Sequence, residues 1–275
     1  MCIRDSVWTY EYADSVEPIY RVVGVRGDLD DEVFFVLAQG LSSIPADSLL
    51  LKLNYDGEPV WSQKLSDYKL AEPELNIRDM AVYPDKSHVV VNVEGETTSG
   101  ITEQFTTMAH LSNIDGSIDF SYTLDANFLV TSFDMNAAST HIFIAMSAGP
   151  TASRSQSQGI WYYADVSSGA PNLGAAVSGT TGYRDSTGAL SPSGNAVNFF
   201  SARYASSNTF IVGMEQAADE SLFSYAFIDV TASSGDTWVQ LDITGTGCSG
   251  LEYAPCVEKV SFPLYDTDNV FFGTH

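Results

Sequence analysis

Few ionisable side chains in this sequence are spaced so that they could act together. Arg78–Asp79 and Arg184–Asp185 are two Arg-Asp pairs, and Asp134 stands in a comparable setting. All five lie on or beside the runs Ile77–Tyr83, Phe128–Asp134 and Tyr183–Leu190, each of which opens a new cycle of strand-like sequence. General acid–base chemistry needs such groups to converge on one cavity, and equivalent first strands are where repeats bring side chains together. We therefore expect Arg78, Asp79, Asp134, Arg184 and Asp185 to be polar groups facing a shared channel. No GxSxG elbow, HExxH or P-loop stretch is present, so nucleophilic hydrolysis has no sequence support.

The remaining reactive residue types point to structure. His88 and His141 each open the second strand of a cycle, which suggests a role beside a turn. Cys248 and Cys256 bracket a short loop rich in turn formers. They are expected to close a disulfide, which implies an oxidising compartment; two free thiols are the alternative. No histidine or third cysteine stands near them, so a metal site there is not expected. Asp28, Asp30 and Asp31, and later Asp266, Asp268 and Asn269, cluster in turns. Such spacing can supply oxygen ligands to calcium. Asp and Asn also simply make good turns, and no cofactor is required to explain them.

Charge narrows the partners. Twelve Lys and Arg stand against 35 Asp and Glu, for a formal net charge of −23. Nucleic acid needs a basic footprint that is missing here, and anionic membrane surfaces are disfavoured for the same reason. No apolar run is long enough for a membrane-spanning helix. Protein or carbohydrate ligands remain as candidate partners, and oligomeric state is open.

The elements that must position these residues are short strands. Ser48–Asp67, SLLLKLNYDGEPVWSQKLSD, reads as two strands around the turn Asn54-Tyr55-Asp56-Gly57. The pattern recurs around Gly116, Gly169 and Gly235. Each cycle holds four strands over roughly 50 to 60 residues, and helix signals are almost absent. The cycles span approximately 19–67, 77–125, 128–178 and 183–245, with partial ones at 7–13 and 257–275. Trp8, Trp61, Trp161 and Trp238 all fall on outer-hairpin strands, as packing between repeats predicts.

These residues carry a resemblance. Ala189–Val197, ALSPSGNAV, resembles the turn between the first two strands of TolB-like and WD40-like blades, and Ala81–Val89 is a looser copy. Leu51–Trp61 is similar to the outer hairpin of quinoprotein-like repeats. Thr231–Trp238 resembles the Asp box of sialidases, but Ser233 replaces the aspartate and no second copy appears. The resemblance implies an all-β fold, a β-propeller of four-stranded antiparallel blades, with about four complete blades plus partial blades at both ends. It resolves no single family.

Met1–Ser6, MCIRDS, resembles the translation of a transposase adapter end, and we exclude it from fold reasoning. Both ends are expected to be cut from a ring of six to eight blades, a five-bladed ring being the rival count. Function is expected in the face loops Leu41–Asp47, Gly95–Ile101, Ala148–Gln158, Tyr204–Ala218 and Gly245–Val257. The expected role is a secreted binding or scaffolding module, extracellular or periplasmic. A channel enzyme (glycosidase, lyase or quinoprotein-like) and a purely structural surface repeat are the alternatives.

Overall fold

The structure is a computed structural model. It describes residues 20–28, 33–40, 48–64, 76–96, 104–124, 128–148, 158–182, 197–206, 208–216, 219–231 and 237–240. Sixteen strands lie in these segments, and they form four separate four-stranded sheets. Blade 1 is β1 (Tyr20–Asp28), β2 (Val33–Gly40), β3 (Ser48–Asn54) and β4 (Pro59–Lys64). Blade 2 is β5 (Asn76–Val82), β6 (His88–Glu96), β7 (Gln104–Ser112) and β8 (Ile118–Leu124). Blade 3 is β9 (Phe128–Met135), β10 (His141–Ala148), β11 (Gln158–Asp165) and β12 (Val177–Gly182). Blade 4 is β13 (Val197–Ser206), β14 (Thr209–Gln216), β15 (Asp219–Asp229) and β16 (Thr237–Gln240). Within each sheet every strand lies beside its sequence neighbour.

The turns follow from residue type. Gly57, Gly116 and Gly169 close the hairpins in blades 1, 2 and 3 with φ of 83°, 75° and 110°, a region that side chains disfavour. Acidic residues stabilise the corresponding corners of blades 2, 3 and 4. Asp115, Asp165 and Asp229 each accept both the N–H and the O–H of the hydroxyl residue two positions on, Ser117, Ser167 and Thr231. Those bonds hold the carboxyls of Asp115 and Asp165 below the usual carboxylate range.

Blade 4 departs from the sequence expectation. Tyr204–Ala218 is expected as a face loop, yet Thr209–Gln216 is the second strand of the sheet. Val197–Ser206 is accordingly the first strand, not the second. Two adjacent runs, Val197–Ser206 and Thr209–Gln216, pair across a turn too short to show as a break. Phe210 and Val212 alternate into the core, which long-range pairing with β15 makes possible. In blade 3 the expected strand at Leu173–Val177 begins instead at Val177. A single 3₁₀ turn, Leu173–Ala175, precedes it and is capped by the Asn172 side chain.

The chain divides into two compact units, Met1–Val82 with Lys86–Thr123, and Tyr83–Asp85 with Leu124–His275. In the first unit, blades 1 and 2 share a core of Phe35, Leu37, Leu50 and Trp61 against Met80, Val89, Val91, Val93, Ala109 and Leu111. In the second, Phe143, Ala145 and Trp161 of blade 3 meet Ala202, Phe210, Val212, Ile228 and Val230 of blade 4. Phe143 and Phe210 stack there with ring centroids 4.6 Å apart.

Trp61 locks the first pair. Its indole N–H donates to the Asn113 carbonyl at 3.0 Å, and Lys52 Nζ donates to the same oxygen at 2.9 Å. The ring lies over Gly116 so closely that an added Cβ would sit 2.7 Å from Trp61 Cε3. Trp61→Ala should therefore cost about 3–5 kcal/mol. Gly116→Ala should be destabilising in the parent, through both the clash and the positive φ. In a Trp61→Ala background it should cost only the backbone part, about 1–2 kcal/mol. Urea unfolding of the four proteins of this double-mutant cycle measures the difference.

Candidate functional site

Arg78, Asp79 and Asp134 lie on first strands, and each of the four first strands is bulged against its neighbour. The irregularities fall at Val22/Gly24, Ile77/Met80, Ala145/Met146 opposite β9, and Phe199/Ser201. A bulge re-aims side chains and releases backbone groups from the ladder. In β5 it releases the Asp79 N–H, which donates to Asn92 Oδ1 at 2.9 Å. Asn92 is fully buried on β6. Asp79 Oδ1 accepts from the Met80 N–H at 2.9 Å and from Arg26 Nη2 of blade 1, also at 2.9 Å. The ion pair is partly shielded, with side-chain exposures of 34% for Arg26 and 14% for Asp79.

The second unit holds a related clasp of different chemistry. On β9, Ser132 Oγ accepts from the Ala202 N–H at 3.0 Å and Asp134 Oδ2 accepts from the Tyr204 N–H at 2.8 Å. Acceptors two residues apart on one strand thus meet donors two residues apart on another, because alternate residues share a face. Arg203 Nη1 donates to Ser132 Oγ and to the Ala202 carbonyl. Asp134 also takes the Met135 N–H at 3.0 Å.

The sequence likeness Asp79-Met80 and Asp134-Met135 does not mark equivalent places. Met80 pairs with the third residue after His88, and Phe133 pairs with the third residue after His141. Counted by register, Asp79 corresponds to Ser132. The structure therefore brings Asp79 to Arg26 and Asn92, Asp134 to the Tyr204 and Met135 N–H groups, and Ser132 to Ala202 and Arg203. The side chain of Arg78 is outside the described set, and Arg184, Asp185, Cys248, Cys256 and the acidic turns at 28–31 and 266–269 lie wholly or partly outside the described residues. Arg26, Asn92, Ser132 and Arg203 are not singled out by the sequence, since nothing local marks an inter-strand partner 13 to 71 positions away. Among the described residues, no three His, Cys, Asp or Glu side chains are grouped so as to hold a metal ion.

The histidines act in packing. His88 bridges Ser87 Oγ at 2.8 Å and Asp119 Oδ2 at 2.7 Å, tying β6 to β8. His141 stacks on Tyr163 at 4.7 Å. His110 is fully buried, stacked on Phe120 at 4.2 Å, with Nε2 3.4 Å from the Tyr122 hydroxyl. Burial, then the charge of His88, pushes its pKa from 6.5 down to about 3.

Comparison with known proteins comes down to the fold. No protein-family model and no curated protein matches the sequence. Hydrazine synthase of Kuenenia stuttgartiensis is similar in structure, with a TM-score of 0.50 and 11% identity over 78% of this chain and 56% of that one. The β-propeller domain of the trilobed protease from Pyrococcus furiosus gives a TM-score of 0.46 and 7% identity over 80% of this chain and 57% of that one. The chain spans little more than half the length of either. The fold is that of a β-propeller. The family within that fold is unresolved.

Two expectations follow from the clasps and the buried imidazole. Asp134→Ala removes the acceptor from the Tyr204 and Met135 N–H groups and should cost about 1–3 kcal/mol. Arg26→Ala removes only a partly exposed partner and should cost about 1 kcal/mol or less; urea midpoints rank the two. For His110, the unfolded imidazole takes a proton near 6.5 and the folded one only near 3. Its contribution is neutral above pH 6.5, and stability is lost as pH falls from 6.5 toward 3. His110→Gln should therefore lose less of its urea midpoint than the parent between pH 7 and pH 4.

Proposed function

We propose that this chain is a binding or scaffolding β-propeller module of an extracellular or periplasmic protein, using the loops at one end of its sheets to recognise a protein or a glycan. The observation that carries this reading is where the long connections fall. In an up-and-down sheet, the link between strands two and three lies at the same end as the link to the next sheet. Residues 41–47, 97–103 and 149–157 make the first kind, and 65–75 and 183–196 the second. The hairpin links 55–58, 83–87, 113–117 and 136–140, at the opposite ends, are tighter. Four links depart from this pattern: 125–127 and 217–218 are short at the first end, and 166–176 and 230–236 are longer hairpin links at the other.

Composition supports recognition by hydrogen bonding. The stretch 97–103 reads TTSGITE and 149–157 reads GPTASRSQS. Hydroxyl and amide groups on such loops suit the hydroxyls of a neutral sugar or the backbone of a peptide, and loops on a rigid scaffold are common carriers of binding residues. The ionisable groups of the first strands described above are engaged in clasps between blades, which favours this reading over a channel enzyme. Calcium in the acidic turns would fit the same reading as a structural ion.

The test is a glycan array together with a panel of extracellular protein domains, probed with the parent and with three variants in which 41–47, 97–103 or 149–157 is replaced by Gly-Ser of equal length. Binding by the parent that falls at least tenfold in one or more loop variants, with the melting temperature unchanged, supports the proposal. Binding that survives all three replacements overturns it. Release of cleaved sugar that depends on Asp79 or Asp134 would favour the channel enzyme instead.

A further inference from the structure

Blade 1 has a second apolar face. Leu49, Leu51 and Leu53 alternate on β3 with exposures of 1%, 4% and 2%, and Val36 packs against them. This is the face opposite Phe35, Leu37 and Leu50, which meet blade 2. Among the described residues, its cluster draws only on β2 and β3.

Register shows what this face is built for. On blade 1 its rungs are Phe34 with Leu53, Val36 with Leu51, and Ala38 with Leu49. On blade 2 the corresponding rungs are Val89 with Leu111, Val91 with Ala109, and Val93 with Thr107. Those blade 2 rungs are the surface on which blade 1 sits, with Trp61 of its fourth strand over the Gly116 turn. A related turn, one residue shorter, stands at the same place on blade 1. Gly57 N–H donates to the Asn54 carbonyl as Gly116 N–H donates to that of Ser112, and the closing rungs Asn54–Glu58 and Ser112–Ser117 also correspond. Gly57 and Gly116 share the left-handed conformation, with φ of 83° and 75°. Cover differs: Val89, Val91 and Gly116 are buried, while the corresponding Phe34, Val36 and Gly57 are half-buried.

The sequence supplies an occupant. Val7-Trp8-Thr9 reads like Val60-Trp61-Ser62, the segment that docks on blade 2, and alternation continues through Ala13. The connection left before β1, 14–19, is intermediate in length between 65–75 and 125–127, two links that join successive blades. We propose that residues 7–13 form the fourth strand of a preceding blade, docked on the Leu49/Leu51/Leu53 face, with the Trp8 indole seated over the Gly57 turn. The blade 1–blade 2 interface is then repeated one step toward the N-terminus, and blade 1 buries both faces.

The experiment is NMR on the full chain with labelled tryptophan and glycine, the Trp8 signal being assigned by its loss in Trp8→Phe. Trp61 and Gly116 provide the internal control, since their cross-peak reports that blades 1 and 2 are folded. The expected result is a cross-peak between the Trp8 ring and the Gly57 α protons, with slow exchange of the Trp8 indole N–H. A Trp8 indole that exchanges like a free one and gives no contact to 54–57, while the Trp61–Gly116 contact persists, overturns the proposal. Contacts seen only between differently labelled chains in a mixed sample overturn it too, and seat a second copy on this face.

Discussion

A four-stranded sheet with apolar residues on both faces cannot be stable alone, because each face must leave water. That constraint governs this molecule. The interior residues of blade 1 point alternately to either side: Leu50 toward blade 2, Leu49 and Leu51 away from it. Stacking one sheet on another removes one face at a time, so every blade interface sets up the demand for the next. The tight fit of Trp61 on a glycine that cannot accept a Cβ shows how closely the sheets must approach. The hydrogen bond from its indole N–H to Asn113 keeps that large ring from burying a polar group unpaired.

Polar side chains on the first strands do a second job of the same kind. At a blade junction, the first strands approach without continuing each other's ladder, so backbone N–H groups there need acceptors from elsewhere. Ser132 and Asp134 supply them to Ala202 and Tyr204. In the first unit the junction is made by an ion pair between Arg26 and Asp79, with Asn92 receiving the N–H that the bulge releases. Two chemically different solutions at related places indicate that geometry, more than residue identity, is what the junction demands. The bulges are the means, since a shift of one residue turns a side chain to the other face.

Function on such a scaffold is free to sit where packing makes no demand. The hairpin corners are committed to Asx bonds and left-handed glycines, and the strands to burial. The connections 97–103 and 149–157 carry hydroxyl-rich sequence. This division is why a fold can be read from repeats while an activity cannot, and why a likeness at 11% identity speaks to architecture alone.

Much of the fold was legible in the chain itself. Period-two alternation around Gly57, Gly116 and Gly169 is local chemistry, since only glycine takes those angles readily, and it marks both strands of the hairpins in blades 1 and 2 and the first strand of the one in blade 3. The all-β class and the four-strand cycle followed. What the sequence could not decide is anything that depends on register or on partners far along the chain. Thr209–Gln216 was hidden as a strand because its alternation has meaning only once β13 and β15 flank it. Asp79 and Asp134 were visible as acids, but the two look alike in sequence and occupy different places because bulges offset the strands that carry them. Their partners Arg26 and Tyr204 lie on other sheets. Local residue type determined the turns, and tertiary packing alone decided which polar groups meet, because blade junctions join residues that nothing in the intervening sequence connects.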